Sequence, residues 1–543
     1  MNLAALLEKS ARRFGDRPAI ALGHELFSSY QNTAERVARL AGGLLRRGLR
    51  PGDRIAIAMK NCPQYSDILF ASWHAGATAV PMNAKLHSRE FAYMLDHSSA
   101  RLCFVTEDLE PVIRAAAMET QSGVEIIVAN SQEYDALLKN NLAPLAQLEP
   151  DATAWIFYTS GTTGRPKGAM LTHRNLLMMT VSYFGDVDAI DETESLLHAA
   201  PMSHGSGLYI LPYVAKGACQ IIPESGGFDP REVIEILATH KKVGCFFAPT
   251  MISRLINDPS ISAANTSNLK TIVYGGGPMY VADCQKALDV LGPKLVQIYG
   301  QGEAPMTITG LSRAAHMDIN HPRYLDRLAS VGTARTDLEV RVVDGDDQPL
   351  PIGEIGEICV RGDVVMQGYW NLPEATAEVM TEDGGFRTGD LGKMVDGYLS
   401  ITGRVKSQFK LENGKYVSPA PLEENLKLSP LVEQAVLDGK DRKNTFLIVH
   451  PSLDALRSAA SSAGVSVPAD NVAMCNDDGV KAWLLSNLQE NNMLEPKWKG
   501  YEVARSIILD PVEWSVDNDM MTPSMKVKLR NLLKHHEEAI NSL

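Results

Sequence analysis

One repeating unit runs through most of this chain and restricts the folds that it can adopt. From Pro18 to about Met380, a short apolar run rich in Val and Ile is followed by a turn and then by a segment with helical periodicity. This alternation predicts an α/β architecture. The strand-like runs include residues 54–59, 102–106, 124–129, 220–223, 243–249 and 271–274, and predicted helices follow several of them, such as 230–240 and 281–291.

The pattern changes twice toward the C terminus. After about Leu338, closely spaced strands with Gly and Asp turns predict a small β-rich subdomain, which we place at about residues 330–403. Near Gly403 a Lys-rich, hairpin-like stretch (405–417) leads into alternating strands and helices that end in a basic amphipathic helix. We therefore predict a large N-terminal domain of α/β layers, residues 1–403, and a small α+β C-terminal domain, residues 404–543.

Composition excludes several classes of protein. The 543 residues are 45% hydrophobic and 22% charged, which is enough apolar material for more than one core. The net charge of −13, without a basic block beside aromatic residues, argues against a nucleic acid partner. No apolar run reaches eighteen residues and the N terminus mixes charge into a helical pattern, so we expect no transmembrane segment, no signal peptide and a cytoplasmic location.

Short sequence patterns give no support for a zinc site or for a peroxisomal address. The seven cysteines are odd in number and none is paired at zinc-ligand spacing, so we interpret them as reduced core residues. The final residues, Asn541-Ser542-Leu543, do not have the central Lys of a peroxisomal address.

The most informative segment is YTSGTTGRPKG, residues 158–168, between two apolar runs. Its hydroxyl residues and glycines allow backbone N–H and side-chain O–H groups to converge on an anion without a Cβ in the way. Its order differs from a Walker loop, because the Lys follows Pro166 and no Gly-Lys-Ser/Thr occurs. The predicted phosphate-binding residues are Thr159, Ser160, Gly161, Thr162, Thr163, Gly164 and the cation Lys167.

This segment resembles the signature loop of the acyl-adenylate-forming superfamily, which includes acyl-CoA synthetases, luciferases and the adenylation domains of peptide synthetases. The resemblance covers nearly the whole chain, with the motifs in the expected order. It implies an ATP-dependent ligase that activates a carboxylic acid as its acyl-adenylate and then transfers the acyl group to coenzyme A, giving acyl-CoA, AMP and pyrophosphate. ATP, Mg²⁺ and coenzyme A are the implied cofactor and co-substrates, and fatty acid metabolism is the implied setting.

The segment from Tyr299 to Glu303 follows an apolar strand, which places it at a strand end, where open α/β sheets bind ligands. The resemblance implies that the Tyr299 ring packs against adenine and that Glu303 and Thr159 bind Mg²⁺. Gly300, Gln301 and Gly302 are assigned to the acyl pocket. The family usually has Thr where this chain has Gly302, so a phosphate-facing hydroxyl is missing and we expect the Gln301-Gly302 pair to reshape that pocket.

Three more segments complete the nucleotide and acid sites that the resemblance implies. The Gly275-Gly276-Gly277-Pro278 segment would on its own indicate a strand-to-helix turn; the resemblance assigns Gly275 to the acyl pocket and Gly276, Gly277 and Pro278 to adenine. Asp390 is assigned to the ribose hydroxyls, with a turn-capping Asp as the alternative, and Ile401 and Arg404 to the nucleotide. His204, Gly205 and Tyr209 are assigned to the acid, and His204 is not a general base, because a carboxylate is already ionised at neutral pH.

The predicted C-terminal domain carries the remaining assignments. Lys406 occupies the family's hinge position, which implies a mobile domain. Lys526 is assigned as the catalytic lysine, although Lys528 lies close enough to compete and both could be solvated lysines. Lys410 and Gly414 are assigned to a hairpin that meets coenzyme A, and the alternative is a simple Asn-Gly turn.

The acid and its acceptor stay open at this point. The C-terminal motifs resemble the fatty or aryl acyl-CoA synthetase branch, yet no Trp gate lies near His204, so medium-chain, long-chain, aryl and polycyclic acids all remain candidates. An acyl-AMP ligase that loads a carrier-protein pantetheine is the alternative enzyme, although no insertion precedes Lys406. A catalytically inactive nucleotide-binding relative is the alternative of another class, although Lys167, Glu303, Asp390 and Lys526 are all present. The oligomeric state is not determined, and a homodimer is one candidate.

Overall fold

The computed structural model describes residues 1–159, 165–277, 279–493, 498–515, 517–521 and 527–543. The chain forms two compact units. Unit 1 comprises Met1–Glu354, Ile358–Thr388 and Lys393–Ser400. Unit 2 comprises Ile355–Glu357, Gly389–Gly392 and Ile401–Leu543.

The strands and helices are numbered here in chain order. The first strands are β1 (Pro18–Leu22), β2 (Glu25–Ser29), β3 (Arg54–Ala58), β4 (Thr78–Met82), β5 (Leu102–Val105), β6 (Glu125–Val128), β7 (Thr153–Thr159) and β8 (Lys167–Thr172). The next are β9 (Ser195–Leu197), β10 (Cys219–Ile222), β11 (Val243–Phe247), β12 (Leu269–Tyr274), β13 (Leu295–Tyr299), β14 (Thr309–Leu311), β15 (Thr333–Ala334) and β16 (Glu339–Val343). The last are β17 (Gly356–Arg361), β18 (Phe386–Val395), β19 (Tyr398–Arg404), β20 (Phe409–Lys410), β21 (Tyr416–Val417), β22 (Val432–Asp438), β23 (Phe446–Pro451) and β24 (Ser506–Leu509).

The helices lie between these strands. Those before β12 are α1 (Ala4–Phe14), α2 (Tyr30–Arg46), α3 (Pro63–His74), α4 (Ser88–Ser98), α5 (Glu110–Met118), α6 (Gln132–Leu138), α7 (His173–Asp186), α8 (Gly205–Leu208), α9 (Ile210–Lys216), α10 (Pro230–Thr239) and α11 (Pro249–Asn257). Those after β12 are α12 (Val281–Leu291), α13 (Arg313–Met317), α14 (Tyr324–Leu328), α15 (Pro373–Ala377), α16 (Pro419–Leu426), α17 (Leu453–Ser462), α18 (Asn471–Asn476), α19 (Asp478–Asn492), α20 (Leu529–His535) and α21 (Glu537–Asn541). Short 3₁₀ helices occupy Pro259–Ala263 and Val405–Ser407.

Two large sheets organise the N-terminal part of the chain. One has six strands in the order β6-β5-β3-β4-β7-β8, parallel except for the β7–β8 pair. The other has thirteen strands in the order β16-β17-β18-β19-β15-β14-β13-β12-β11-β9-β10-β1-β2, with parallel pairing from β13 through β1. Strands β4 and β5 are buried at every residue, as expected for parallel strands covered on both faces. The predicted α/β class is therefore confirmed.

Helix α3 shows how deep the core of unit 1 is. All of its residues from Pro63 to His74 are buried, so it is enclosed on every side, unlike a surface helix with one apolar stripe. Pro63 at its first position suits a helix start, and Gly76 just beyond its end has a φ of 82°, which is typical of a helix stop.

Strands β15 to β19 fall between Thr333 and Arg404, as the closely spaced turns of this region predict. Unit 2 contains the two-stranded sheet β20-β21 and the three-stranded sheet β22-β23-β24, with helices α16 to α21. Its core includes Leu426, Leu447 and Leu484, which are fully buried. The predicted α+β C-terminal domain agrees with this content. Among the described residues, no helix is both long enough and apolar enough to cross a membrane.

Candidate active site

The centre of the candidate site is the carboxylate of Glu303, just beyond the end of β13. This side chain is 7% exposed, and its Oε1 accepts hydrogen bonds from the Thr159 hydroxyl at 3.1 Å and the Tyr369 hydroxyl at 2.8 Å. Its carbonyl oxygen accepts from the Met366 N–H at 2.7 Å. Glu303 is thus fixed through both side chain and main chain, and the predicted partners Thr159 and Glu303 lie together.

Tyr369 is a part of this site that the sequence reading missed. Its segment runs beside β8, where the Trp370 N–H donates to the Gly168 carbonyl at 2.8 Å. The Lys167 ammonium lies 4.9 Å from the centroid of the Tyr369 ring, a cation–π distance. Burial and the nearby Glu303 raise the pKa of the Tyr369 hydroxyl, which therefore stays protonated and able to donate. The contact spans 66 residues of sequence, and no local spacing rule could have predicted it.

The two ends of the predicted phosphate loop face each other across a β hairpin. Strand β7 ends at Thr159 and β8 begins at Lys167, and these two residues are paired in the antiparallel ladder. The apolar runs predicted on either side of the loop are therefore strands. The predicted phosphate ligands between them lie outside the described residues: Ser160, Gly161, Thr162, Thr163 and Gly164.

Steric space explains the glycines of the 300–302 segment. A Cβ on Gly300 would lie 2.5 Å from the Met306 nitrogen. A Cβ on Gly302 would lie 2.6 Å from Phe157 Cδ1 and closer still to Thr159 Cγ2. Neither glycine has a positive φ, so contact with neighbours, and not backbone conformation, excludes a side chain. The volume that a Thr would fill at position 302 is occupied by Phe157 and Thr159.

Tyr299 and Gln301 lie at the same strand end. Tyr299 is the last residue of β13 and is 7% exposed. The Gln301 N–H donates to the Ala304 carbonyl at 3.1 Å, which closes a turn, and its side-chain amide donates to the Thr388 carbonyl at 3.0 Å. Gln301 therefore ties this loop to the start of β18.

The glycine segment after β12 lies on the neighbouring strand. Gly275 is buried, and a Cβ there would lie 2.7 Å from Ile298 Cδ1 of β13. Gly276 is exposed and has a φ of 79°, which favours glycine, and Gly277 is exposed. Pro278 lies outside the described residues. The parallel pairing of β12 with β13 brings this segment and Tyr299 to adjacent strand ends.

His204 precedes α8, and its ring packs edge-on against Phe157 with centroids 5.4 Å apart. The Ser203 hydroxyl lies 2.9 Å from His204 Nδ1. Burial lowers the pKa of His204 to about 4, so the ring is neutral at physiological pH. At Gly205, a Cβ would lie 2.7 Å from Phe246 Cε1, which explains the glycine.

Tyr209 continues this aromatic surface. It is 2% exposed, and its ring packs edge-on against Tyr183 at 5.1 Å and Phe246 at 6.0 Å. These side chains form two packed pairs, Phe157 with His204 and Phe246 with Tyr209, and Phe246 also lies against Gly205, the neighbour of His204. We call these four residues the aromatic wall. The sequence analysis named His204 and Tyr209 but not Phe157 or Phe246.

Unit 2 carries the predicted ribose ligands. Asp390 is 5% exposed, and its Oδ1 forms an ion pair with Arg404, 2.8 Å from Nε. Arg404 thus orients this carboxylate and offsets its charge. Ile401 lies in the same strand as Arg404 and is exposed.

The hinge and hairpin residues are at the surface of unit 2. Lys406 is exposed in the 3₁₀ turn Val405–Ser407. Lys410 is exposed in β20, and Gly414 has a φ of 84° in the turn that joins β20 to β21. The Gly414 N–H donates to the Leu411 carbonyl at 2.9 Å, so the Asn-Gly turn is present whatever its function.

The two candidate lysines differ in what the structure describes. Lys526 lies outside the described residues. Lys528 pairs with Asp519, with 2.5 Å between Nζ and Oδ1. This ion pair is exposed to solvent, and the choice between the two lysines stays a prediction.

Comparison with known proteins decides the family. The AMP-binding enzyme family matches residues 7–370, and the AMP-binding enzyme C-terminal domain matches residues 406–478. This chain belongs to the AMP-binding enzyme family. The resemblance to the acyl-adenylate-forming superfamily and its acyl-CoA synthetase branch is therefore confirmed.

Three proteins illustrate the similarity. A feruloyl-CoA synthase of an Amycolatopsis species is 33% identical over 482 residues, which covers 88% of this chain and 89% of the relative. A fatty acid–[acyl-carrier-protein] ligase of Streptomyces coeruleorubidus is 31% identical over 432 residues, or 78% and 80% of the two chains. The crystal structure of ATP-bound MatB from Rhodopseudomonas palustris superposes with a TM-score of 0.81 at 23% identity, over 99% of this chain and all of that one, which shows a shared fold.

Proposed function

We propose that this AMP-binding enzyme is a carboxylic acid:coenzyme A ligase that works through an acyl-adenylate. The observation that carries the proposal is the Glu303 carboxylate, which two hydroxyl groups hold at a strand end, beside the paired residues Thr159 and Lys167 of the phosphate-loop hairpin. A fixed carboxylate, a hydroxyl and a lysine at the ends of a Gly/Thr loop are suited to bind the phosphates and the Mg²⁺ ion of a nucleoside triphosphate.

The donor set at Glu303 suits Mg²⁺. Both hydroxyl groups donate to Oε1, and Oε2 accepts no hydrogen bond from the described residues, which leaves it available to a cation. A carboxylate oxygen with a neighbouring hydroxyl is the ligand type that a hard divalent cation prefers. Glu303 would hold the ion with Thr159 beside it, and the bound ion would supply positive charge to the phosphate oxygens.

The first step needs positioning more than proton transfer. The acid is already ionised, so its carboxylate oxygen attacks the α-phosphorus of ATP as pyrophosphate leaves, and no general base is required. Lys167 offsets the negative charge of two anions brought together, and Lys526 is proposed to do the same at the transferred phosphate. His204 is neutral because burial lowers its pKa to about 4, so it shapes the carboxylate site without adding charge.

In the second step the coenzyme A thiol attacks the adenylate carbonyl and AMP leaves. We assign Gly414 and Lys410 to the passage of the pantetheine arm, and Lys406 to the hinge about which unit 2 changes position between the two steps. The feruloyl-CoA synthase relative supports coenzyme A as the acceptor. The carrier-protein ligase relative supports the second candidate, in which the thiol belongs to a carrier-protein pantetheine.

The deciding experiment measures pyrophosphate release with ATP and Mg²⁺ across aliphatic and aryl acids, with and without coenzyme A. Continuous acid-dependent release that requires coenzyme A, with AMP and a thioester as products, supports the ligase and identifies its class of acid. Release that stops near one equivalent despite coenzyme A points instead to a carrier protein. Complete silence across the panel would contradict the proposal.

Two variants control that experiment. Glu303→Gln keeps the size of the side chain and removes its charge, so acid-dependent release should fall by at least about 100-fold, as when a buried charge partner is lost. The control is Gly345→Ala. Gly345 is exposed, and an added Cβ would have no neighbour within 4 Å, so this variant should be as active as the unmodified enzyme.

A further inference from the structure

A buried guanidinium lies beside Met306, shortly after Glu303 in the chain. Arg335 immediately follows β15 and is 3% exposed, and its guanidinium carbon would lie 3.2 Å from a Cβ on Gly310 of the adjacent strand β14. Its Nη2 donates one long hydrogen bond, 3.4 Å, to the Met306 carbonyl. Its Nε and Nη1 have no hydrogen-bond partner among the described residues.

The charges around this group do not neutralise it by contact. Asp186 and Asp337 act on Arg335 through space, but neither forms an ion pair with it in the part of the chain that the structure describes. Asp186 is engaged by Thr336, whose hydroxyl donates to it at 2.6 Å. Burial lowers the pKa of Arg335, which nevertheless remains a cation at neutral pH because an arginine side chain starts so high. A buried cation with two unsatisfied donor groups is costly, and such a cost is typical of a site that a ligand completes.

The Tyr209 hydroxyl is a third unsatisfied donor at the same place. It is buried, and it has no hydrogen-bond partner among the described residues. Contacts connect it to Arg335: Tyr209 packs on Phe246, and Phe246 Cε1 and Met306 Cε would lie 2.7 and 2.9 Å from a Cβ on Gly205. Burial raises the pKa of Tyr209, and the charge of Arg335 opposes that shift. Met306, which accepts the one bond of Arg335, has a φ of 65°, a strained conformation that is typical of ligand-binding segments.

We propose that Arg335 and the Tyr209 hydroxyl bind a hydrogen-bond-accepting oxygen at the end of the acid remote from the carboxylate that is activated. This inference rests on the proposed function, because it concerns the acid of that same reaction. We assign the body of the acid to the aromatic wall, because Phe157 packs beside the Glu303 loop and Phe246 lies, with Met306, against Gly205. The acid is therefore bifunctional, with a hydroxyl, carbonyl or second carboxylate oxygen at its remote end.

The enzyme should discriminate strongly between acids that carry the remote oxygen and acids that do not, because only the former pair with these donors. An acid without the remote oxygen leaves three donors buried and unpaired, whereas an acid that carries it satisfies them. A hydrogen bond to a charged group supports a preference of about 10- to 100-fold in kcat/KM. A neutral oxygen and a carboxylate oxygen can both accept hydrogen bonds from these donors. The acids in the test distinguish the two.

The test compares acids in three matched pairs: cinnamic with 4-hydroxycinnamic acid, octanoic with 8-hydroxyoctanoic acid, and octanoic with octanedioic acid. The quantity measured is the ratio of kcat/KM for pyrophosphate release within each pair. The unmodified enzyme should prefer an oxygen-bearing member by at least about 10-fold in one pair, and Arg335→Met and Tyr209→Phe should each reduce that ratio. Preference for 8-hydroxyoctanoic acid identifies a neutral oxygen, and preference for octanedioic acid identifies an anionic one.

The control variant is Arg341→Met. This variant makes the same Arg-to-Met substitution in β16. The Arg341 guanidinium already forms an ion pair with Asp383 at 2.8 Å. Its kcat/KM ratio should match that of the unmodified enzyme. Equal turnover of both members of every pair, or a ratio that Arg335→Met leaves unchanged, would overturn this inference while the ligase reaction stood; no turnover of any acid would overturn the ligase itself.

A stability measurement separates binding from a structural role. If the guanidinium serves the ligand and not the fold, ligand-free Arg335→Met should melt within about 5 °C of the unmodified protein, because the guanidinium makes only one long hydrogen bond to the described residues. A melting temperature lower by more than about 5 °C would show that the fold needs the guanidinium, and the inference would be wrong.

Discussion

Gly302 offers the sharpest test of how the site is built. An added Cβ would lie 2.6 Å from Phe157 Cδ1 and closer to Thr159 Cγ2, and both distances are shorter than real Cβ contacts allow. The backbone φ of Gly302 is not positive, so Gly302→Ala tests space alone. The easiest relief is a rotation or displacement of Thr159, and this movement withdraws its hydroxyl from the Glu303 carboxylate, to which it donates at 3.1 Å.

The size of the effect follows from the overpacking. Forcing one extra methyl group into a filled site costs about 1–3 kcal/mol. If that cost falls on the arrangement that binds ATP and Mg²⁺, the rate of adenylate formation decreases by about 5- to 150-fold. Gly302→Thr adds two more heavy atoms at the same place and should be at least as damaging.

The assay is acid-dependent exchange of pyrophosphate into ATP, measured over a range of Mg²⁺ concentrations. Gly302→Ala should lower the exchange rate and raise the Mg²⁺ concentration needed for half-maximal rate, because Thr159 and Glu303 no longer act together. Gly345→Ala, at an open and exposed position, serves as the matched control. Normal exchange and normal Mg²⁺ dependence in Gly302→Ala would refute the steric explanation of this glycine.

Three further predictions use the same preparations. Tyr369→Phe removes one hydroxyl donor from the metal-side carboxylate but keeps the ring beneath the lysine, so exchange should fall by about 10- to 100-fold; an unchanged rate would contradict the role of that hydrogen bond. Lys526→Ala should suppress adenylate formation and spare thioester formation from supplied acyl-adenylate, whereas Lys528→Ala should affect neither step strongly; the reverse result in single-turnover assays would exchange the two assignments. His198 is fully buried and burial lowers its pKa to about 4, below the 6.5 of an unfolded chain, so its stabilising contribution of about 3 kcal/mol is present above pH 6.5 and is lost as the pH falls toward 4. Urea unfolding between pH 7 and 4 should show this loss, and His198→Gln should show a flatter dependence.

The architecture was predictable because it depends on local periodicity. The apolar runs at 102–106 and 243–249 became β5 and β11, and the predicted helix 281–291 became α12 with the same bounds. The phosphate hairpin was predictable for a similar reason, because a compact Gly/Thr loop between two apolar runs implies strands on both sides, as β7 and β8 show.

Residues that meet across long stretches of chain were not predictable in this way. Tyr369 joins Glu303 only because its segment runs beside β8, and nothing in the sequence around Tyr369 signals that contact. Gly302 was interpreted as the loss of a hydroxyl, which stays a prediction; the structure adds that a Cβ at position 302 would require Phe157 or Thr159 to shift.

The α/β class and the order of the motifs could be inferred from the sequence, because they follow from periodicity and from which side chains can bind phosphate or a cation. The contact of Tyr369 with Glu303 and the unsatisfied buried donors of Arg335 and Tyr209 are visible only in the folded chain. The physical reason is that burial and hydrogen-bond satisfaction depend on neighbours brought together by the whole fold, and a local pattern contains no information about them.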